Sequence, residues 1–296
     1  MLNAMTVDVE DYFHVAALAS AIDRRDWDRL ESRVERNTRR LLDLFAAHQL
    51  QATFFVLGWV AERHPQLVRE IAAAGHEIAS HGYSHQLIYR QQPDEFRQET
   101  QRAKALLEDQ IQQPVLGYRA ASYSITRQSL WALDILADLG FVWDSSIFPV
   151  RHDRYGIPGT PRWPHRLQTP SGQTLIEFPL STWQLGRYRL PIAGGGYFRL
   201  YPYGLTRAGL ASINRRAQRP FIFYLHPWEI DPGQPRVKTG LLSSFRHYNN
   251  LGKCESRLRR LLGDFGFTTV GRVLEALGLL PPAAQAPAAA LAADSG

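Results

Sequence analysis

Two histidines, His81 and His85, stand four residues apart just after a short apolar segment, in Ser80-His81-Gly82-Tyr83-Ser84-His85. On a helical turn, positions i and i+4 lie on the same face, so both imidazoles can reach one metal ion. The same spacing also occurs by chance on surface helices. A nearby carboxylate would complete a metal site of two histidines and one acid, and would favour metal binding over a chance spacing.

Three acidic residues, Asp8, Glu10 and Asp11, end an apolar segment near the N-terminus. Side chains alternate along a strand, so Asp8 and Glu10 face the same way if the strand continues. One carboxylate should bind the ion, while a second, held off the ion, removes a proton from water. We assign Asp8 as the base and Glu10 as the ligand, with Asp11 as a competitor for the ligand role. A solvated acidic strand end is the alternative, which the apolar neighbours disfavour.

A third histidine, His226, follows the apolar segment Phe221–Leu225 and precedes Pro227 and Trp228. We predict that His226 is the general acid. It needs a carboxylate to hold its tautomer and raise its pKa, and Asp144 is the candidate. Trp228 is predicted to contact substrate. A histidine buried in the core for packing alone is the alternative.

An arginine, Arg119, occurs in Gly117-Tyr118-Arg119-Ala120-Ala121-Ser122-Tyr123-Ser124. A bidentate pair with Asp8 would orient that carboxylate and keep it ionised. The backbone N–H groups near Ser122 and Tyr123 are predicted to stabilise an oxyanion and so to contact substrate. A surface arginine is the alternative.

Short apolar segments alternate with stretches of helical period, which predicts a parallel sheet with crossover helices. Seven such units favour a distorted (β/α) barrel of about seven parallel strands. The polar residues above follow these strands, as expected for a barrel whose reactive groups lie at the C-terminal strand ends. The predicted strands are Met5–Val9, Ala52–Leu57, Glu77–Ser80, Val115–Tyr118, Phe141–Trp143, Leu175–Phe178 and Phe221–Leu225. The predicted helices are Val34–His48, Gln66–Ala74, Pro93–Gln110, Arg127–Leu139 and Leu205–Gln218.

The segment 145–203 departs from this alternation and is rich in proline, glycine and aromatic residues, including Trp163, Trp183 and Tyr197. We interpret it as an insertion on the barrel. Aromatic faces pack against sugar C–H groups, so a saccharide groove is one interpretation. Packing of a long insertion explains the same residues equally well.

The charge distribution, the cysteine count and the N-terminal segment limit which classes of function and location we expect. The net charge is +6, but the arginines are scattered among predicted helices, which favours solvated helix faces over a nucleic-acid surface. One cysteine, Cys254, cannot form an internal disulfide, and we expect it to be buried. The N-terminal segment lacks the pattern of a secretory signal, which predicts a cytoplasmic protein.

These motifs resemble the NodB-homology polysaccharide deacetylases, carbohydrate esterase family four, over about residues 5–270. The segments Thr6–His14 and Phe223–Glu229 resemble, more narrowly, the branch associated with exosortase and PEP-CTERM exopolysaccharide systems. The usual first motif has two adjacent aspartates followed by glycine, whereas this chain has Asp8-Val9-Glu10-Asp11-Tyr12. The choice between Glu10 and Asp11 as ligand therefore stays open.

The resemblance implies a (β/α) barrel, a divalent ion that we expect to be zinc, and hydrolysis of N-acetyl groups on a polysaccharide. It implies one deacetylase domain over residues 1–280, with a branch-specific region at about 153–250, and we predict a disordered tail at 281–296. It further implies a position at the inner membrane surface, in peripheral association with a membrane-bound polymer-assembly system. Two rival functions are a non-catalytic saccharide-binding protein and a hydrolase of small amides on the same barrel.

Overall fold

The computed structural model describes residues 1–152 and 154–282. The predicted tail from residue 283 onward therefore lies outside the described residues. Eleven strands are found in the described chain: β1 (Leu2–Val9), β2 (Thr53–Val56), β3 (Glu77–Ser80), β4 (Gly117–Tyr118), β5 (Trp143–Asp144), β6 (His165–Gln168), β7 (Thr174–Glu177), β8 (Thr182–Leu185), β9 (Tyr188–Pro191), β10 (Ile222–Leu225) and β11 (Gly266–Thr268).

One large sheet organises the molecule, with the strand order β10-β1-β2-β3-β4-β5-β7-β6. Every neighbouring pair from β10 to β7 is parallel, whereas β6 is antiparallel to β7. Strand β11 pairs with the start of β1, and β8 and β9 form a separate hairpin. Strand β1 is buried along its whole length except Leu2, because it is covered by neighbours on both sides.

Helices connect the parallel strands and cover the sheet. Their bounds are α1 (Val34–Ala47), α2 (Gly58–Arg63), α3 (Pro65–Ala73), α4 (Pro93–Ile111), α5 (Trp131–Asp138), α6 (Gly195–Leu200), α7 (Tyr203–Arg215), α8 (Leu241–Tyr248), α9 (Leu251–Asp264) and α10 (Val270–Ala276). Prolines stand in the first turn of α3 and α4, where their missing N–H has no helical acceptor. No helix among the described residues is both long and apolar enough to cross a bilayer.

The segment that follows β7 runs to the edge strand β10 and contacts it. Ile222 N donates to Ser181 Oγ at 2.9 Å, and Gly194 forms a parallel bridge with Tyr224. Gly194 has φ of 131°, and a Cβ atom there would lie 1.9 Å from the Tyr224 carbonyl oxygen. Only glycine fits this approach, so Gly194 brings the chain against β10.

The predicted fold class is confirmed, because all seven predicted strands occur in one mostly parallel sheet. Besides the predicted strand β7, the segment 145–203 contains the strands β6, β8 and β9, and the C-terminal part contains helices that the periodicity did not reveal. Cys254 is fully buried on α9, as expected.

Candidate active site

Four parallel strands deliver polar side chains to one end of the sheet. Asp8 and Glu10 come from the end of β1, His81 follows β3, Arg119 follows β4 and His226 follows β10. Because the strands are parallel, their C-terminal ends share one edge, and the side chains converge there. All except His226 are at most 2 % exposed.

Glu10, His81 and His85 form a cluster of three buried residues whose ligand atoms lie within 4.8 Å of one another. His85 Nε2 is 2.8 Å from Glu10 Oε2, yet Oε2 accepts no hydrogen bond in the described structure. A buried carboxylate oxygen without a donor, facing imidazole nitrogens, fits a divalent cation. His81 Nδ1 lies 2.8 Å from the Arg119 carbonyl oxygen, so Nδ1 donates the proton and Nε2 keeps its lone pair for an ion.

The segment between the two histidines is a loop, so the expected helical turn is wrong. Gly82 and His85 both have positive φ, 74° and 53°, which interrupts any helix. The loop carbonyls of Gly82 and Tyr83 accept from Gly58 N and Trp59 N at 2.8 and 3.1 Å. The first amides of α2, which lack acceptors within the helix, therefore hold the loop in place.

The charge states of the cluster suit metal binding. Burial alone raises the pKa of Glu10, but the nearby His85 and His226 outweigh it and hold that pKa below its usual range. Burial lowers the pKa of His81 to about 4. An ionised carboxylate and a neutral imidazole are the forms that bind a cation.

Asp11 does not join the cluster, so its predicted role as an alternative ligand is wrong. Its Oδ1 accepts from Tyr12 N at 3.0 Å. Its Oδ2 accepts from Ser32 Oγ, Arg33 N and Val34 N at 2.8, 2.6 and 3.0 Å. These bonds tie the carboxylate to the N-terminus of α1, where free amides favour an anion.

Arg119 holds Asp8 and is itself fully buried. Its Nη1 donates to Asp8 Oδ1 at 2.7 Å and to Thr6 Oγ1 at 2.9 Å. Its other nitrogens donate to the Ser145 carbonyl and hydroxyl oxygens, so the pair with Asp8 is not the bidentate pair that we expected. The guanidinium lies 3.9 Å above the Phe55 ring, which fixes its plane.

His226 faces the acids from the opposite side of the site. Its Nε2 lies 3.3 Å from Glu10 Oε1 and 3.8 Å from Asp8 Oδ2. Its Nδ1 lies 2.7 Å from Glu229 Oε1, and Glu229 Oε2 accepts from Arg199 Nε at 2.6 Å. The described structure thus holds the histidine between two sets of carboxylates.

The pKa of His226 follows from these neighbours. Burial lowers it, but the charges of Glu10 and Glu229, with the hydrogen bond to Glu229, raise it to about 9. The pKa of Glu229 is about 2, because Arg199 and His226 outweigh the effect of burial. These shifts favour the protonated form of His226 and the ionised form of Glu229.

Asp144 does not contact His226, so its predicted role as partner of that histidine is wrong. Its carboxylate accepts from Ser146 Oγ at 2.6 Å and Ser146 N at 3.2 Å, and it interacts with Glu177. Burial raises the pKa of both acids, most strongly that of Glu177, which favours one shared proton. The Asp144 carboxylate is held by Ser146 and Glu177 instead.

The three residues predicted to contact substrate differ in their placement. Ser122 lines the cavity described below and has φ of 51°, and no acceptor for its N–H is found in the described structure. Tyr123 N donates to the Ala120 carbonyl at 3.0 Å, so it is not free for an oxyanion, although its hydroxyl lies 3.5 Å from Asp8 Oδ2. Trp228 is 6 % exposed, stacks with His226 and donates to Glu10 Oε1 at 3.4 Å, so it supports the site from below rather than presenting a face to sugar.

A cavity of about 930 Å³ opens beside the cation ligands. His85, Ser122, Tyr224 and Tyr197 are among its lining residues. The aromatic residues Trp163 and Trp183 pack against the core instead, so the groove that we expected them to line is not formed by them. Asn249 also lines the cavity, whereas the Tyr248 hydroxyl accepts from Val237 N.

Sequence reasoning missed Glu229 and Arg199. Glu229 stands three residues after His226, on one turn of the 3-10 helix Pro227–Ile230, and this spacing could have identified it. Arg199 lies on α6 and also donates to the carbonyls of His247 and Asn249, a long-range contact without a local sequence signal.

Comparisons with solved structures agree with the fold. A protein assigned to the polysaccharide deacetylases from Mycobacterium smegmatis superposes with a TM-score of 0.60 at 22 % identity, over 96 % of this chain and 93 % of that one. PuuE allantoinase superposes with a TM-score of 0.57 at 16 % identity, over 94 % and 91 % of the two chains. At these identities the likeness concerns the fold alone.

Sequence comparisons add curated relatives. A chitooligosaccharide deacetylase of Bradyrhizobium sp. (strain ANU 289) is 33 % identical over 100 residues, 34 % of this chain and 43 % of the relative. A peptidoglycan-N-acetylglucosamine deacetylase of Bacillus cereus is 39 % identical over 70 residues, 24 % of this chain and 26 % of the relative. The chain thus spans less than half the length of these relatives.

Two family models match adjoining parts of the chain. Residues 26–142 match the model described as polysaccharide deacetylase, and residues 145–275 match a domain of unknown function, DUF3473. Asp8 and Glu10 precede the first match, whereas His226 and Glu229 fall within the second. The chain is thus similar to the polysaccharide deacetylases over residues 26–142, and the domain of unknown function that follows contributes His226 and Glu229 to the same site.

Proposed function

We propose that this chain hydrolyses N-acetyl groups on a polysaccharide or oligosaccharide, with a divalent cation held by Glu10, His81 and His85. The observation that carries the proposal is the position of Asp8 and His226 beside that cluster. A base, a set of cation ligands and an acid are what amide hydrolysis by activated water requires. The names of the curated relatives, deacetylases of chitooligosaccharide and peptidoglycan, support this substrate class.

Two imidazoles and one carboxylate with open positions suit zinc, which we infer as the cofactor. Such an ion, when bound, supplies Lewis acidity toward the acyl carbonyl oxygen and toward the attacking water. The other carboxylate oxygen of Glu10, Oε1, accepts a hydrogen bond from Trp228 Nε1 and faces His226 Nε2. These two contacts fix the plane of the carboxylate.

Asp8 acts as the base that takes a proton from the attacking water. Its Oδ1 is held by Arg119, which leaves Oδ2 toward the site, 3.8 Å from His226 Nε2. Arg119 thus orients the carboxylate. The Ser122 N–H, which lines the cavity, is the backbone donor that we assign to the developing oxyanion.

His226 protonates the nitrogen that leaves. The imidazolium carries its proton on Nε2, because Nδ1 donates to Glu229, and Nε2 faces the acids of the site. Glu229, in turn, is held by Arg199. Proton transfer from Nε2 releases a free amine and acetate.

Acetate release from chitohexaose tests the proposal with apo and zinc-loaded protein. We expect release only after loading, and a loss of about 100-fold or more in kcat for Asp8→Asn with zinc content unchanged. Arg69→Gln, on the exposed face of α3, is the matched control. Binding of chitohexaose without acetate release would instead support a saccharide-binding protein, and release from small cyclic amides alone would support the small-amide hydrolase.

The finer predictions stay predictions. They are the exosortase-associated branch, the single domain over residues 1–280, a cytoplasmic location and an association with a membrane-bound polymer-assembly system. A pull-down with the polymer-assembly proteins of the source cell would test the last of these.

A further inference from the structure

The cavity beside the cation ligands is lined by four arginines, Arg24, Arg90, Arg154 and Arg246. Each comes from a different segment: the 3-10 helix Arg24–Arg29, the 3-10 helix Ile88–Arg90, the loop before Tyr155, and α8. All four side chains are exposed. Segments far apart in the chain thus each place one permanent positive charge around the same space.

Little negative charge offsets these arginines. Asp23 is the only carboxylate among the described residues lining the cavity, and Arg25 already binds it at 2.7 Å. Within the described chain, none of the four arginines forms an ion pair. Arg24 lies within electrostatic reach of Glu95 and Glu99, but their carboxylates accept from Gln86 and Ser84 and do not line the cavity.

Like charges around one cavity repel one another, so the arrangement favours an occupant that brings negative charge. A neutral saccharide would be recognised by aromatic faces and hydroxyl partners and would leave the guanidinium groups unpaired. Arginine, in contrast, matches the two oxygens of a carboxylate, phosphate or sulfate with two parallel hydrogen bonds.

We propose that the saccharide bound here is anionic, with carboxylate, sulfate or phosphate groups close to the acylated amine. This inference rests on the proposed deacetylase function and names its substrate class. The arginines do not touch the reacting atoms, so they act on substrate capture. Substituting them should therefore change KM and the salt dependence of kcat/KM and leave kcat nearly unchanged.

The test compares three hexasaccharides with the zinc-loaded full chain. Chitohexaose is neutral, hyaluronan hexasaccharide alternates N-acetylglucosamine with a carboxylated sugar, and phosphorylated chitohexaose carries phosphate. We expect kcat/KM at about 20 mM NaCl to be about tenfold higher for at least one anionic substrate, and to fall toward the neutral value at about 300 mM. Whichever anionic substrate is preferred identifies the group that is recognised.

Two double variants assign the effect to the arginines. Each double variant should reduce the ratio of kcat/KM for the anionic substrate to kcat/KM for the neutral one about tenfold, mainly through KM. One variant combines Arg90→Gln with Arg246→Gln, and the other combines Arg24→Gln with Arg154→Gln. Arg90→Lys with Arg246→Lys should restore part of that ratio, because charge is kept. Arg69→Gln should leave the ratio unchanged.

Equal kcat/KM for neutral and anionic substrates at low salt would overturn the inference while leaving the deacetylase function intact. If no substrate releases acetate, calorimetric binding of hyaluronan hexasaccharide decides the matter separately. Salt-sensitive binding that the double variants weaken would support the anionic class, and absence of binding would refute it.

Discussion

At the cation cluster, one hydrogen bond decides which nitrogen of His81 is available. The Arg119 carbonyl fixes Nδ1 as the donor, and the same residue's side chain holds Asp8, so one residue orients both the proposed ligand and the proposed base. Glu10 and Asp11 are neighbours in the sequence but have different contacts. Glu10 faces the imidazoles, whereas Asp11 binds the N-terminal amides of α1. These two residues give the most direct test of the cluster.

Glu10→Gln should weaken zinc binding by at least about 100-fold, because it removes the anionic ligand, with little change in thermal stability. Asp11→Ala should keep zinc affinity but lower the free energy of unfolding by about 1–2 kcal/mol, through loss of a helix cap. Zinc titration and urea unfolding of both variants measure the contrast. Loss of zinc affinity in Asp11→Ala alone would reverse our assignment.

Glu229 and Asp144 provide a second contrast at this scale. Glu229→Gln removes the anion beside His226 Nδ1, and we expect kcat to fall about 10- to 100-fold with zinc content unchanged. Glu229→Asp should restore part of the activity if the charge is what matters. Asp144→Asn should change kcat by less than about threefold, and a larger loss than in Glu229→Gln would contradict the geometry.

At the scale of helices and strands, buried contacts between elements depend on single residues. His76, at the start of β3, accepts from Ala52 N through Nδ1 at 3.1 Å, and burial lowers its pKa from 6.5 to about 4. Between these values the unfolded chain binds more protons, so stability rises with pH there. The stability is fully present above pH 6.5 and is lost as pH falls toward about 4.

We therefore expect His76→Gln to reduce the pH dependence of the unfolding free energy in that window by on the order of 1 kcal/mol. The exposed His48→Gln on the surface after α1 is the control. Chemical denaturation at several pH values measures both. Equal pH profiles for wild type and His76→Gln would exclude a role for this histidine.

Gly194 makes the contact between the segment after β9 and strand β10. Gly194→Ala should destabilise the fold by about 2–4 kcal/mol, because its Cβ would overlap the Tyr224 carbonyl in a backbone conformation that alanine avoids. Gly240→Ala, where a Cβ would meet nothing within 4 Å, is the matched control. Thermal unfolding of the two variants measures the difference, and equal melting temperatures would contradict the close approach.

Apolar segments and helical periods predicted the seven parallel strands and five of the helices, because buried strands and amphipathic helices have strong local patterns. Short elements were not predicted: β8 and β9 have four residues each and are half exposed, so their alternation of apolar and polar residues is weak. In the site, residue types and strand ends indicated Glu10, His81 and His85. The partner of His226 was misassigned because we considered Asp144, at the end of a strand, and overlooked Glu229, which lies three residues from His226 on the 3-10 helix Pro227–Ile230.

At the scale of the whole molecule, the site is assembled from both matched regions and from the N-terminal strand. Strand β10, within the domain of unknown function, pairs with β1 through four residue pairs and delivers His226 to the acids of β1. The domain of unknown function is therefore part of the barrel wall. Its Arg199 also joins the C-terminal end of α8 to Glu229.

The pairing of β1 with β10 has a consequence for the order in which the protein becomes competent during synthesis. Glu10, His81 and His85 are synthesised roughly 140 residues ahead of His226, so these three residues leave the ribosome before the histidine that completes the site. The site is complete only after β10 has been synthesised and has paired with β1.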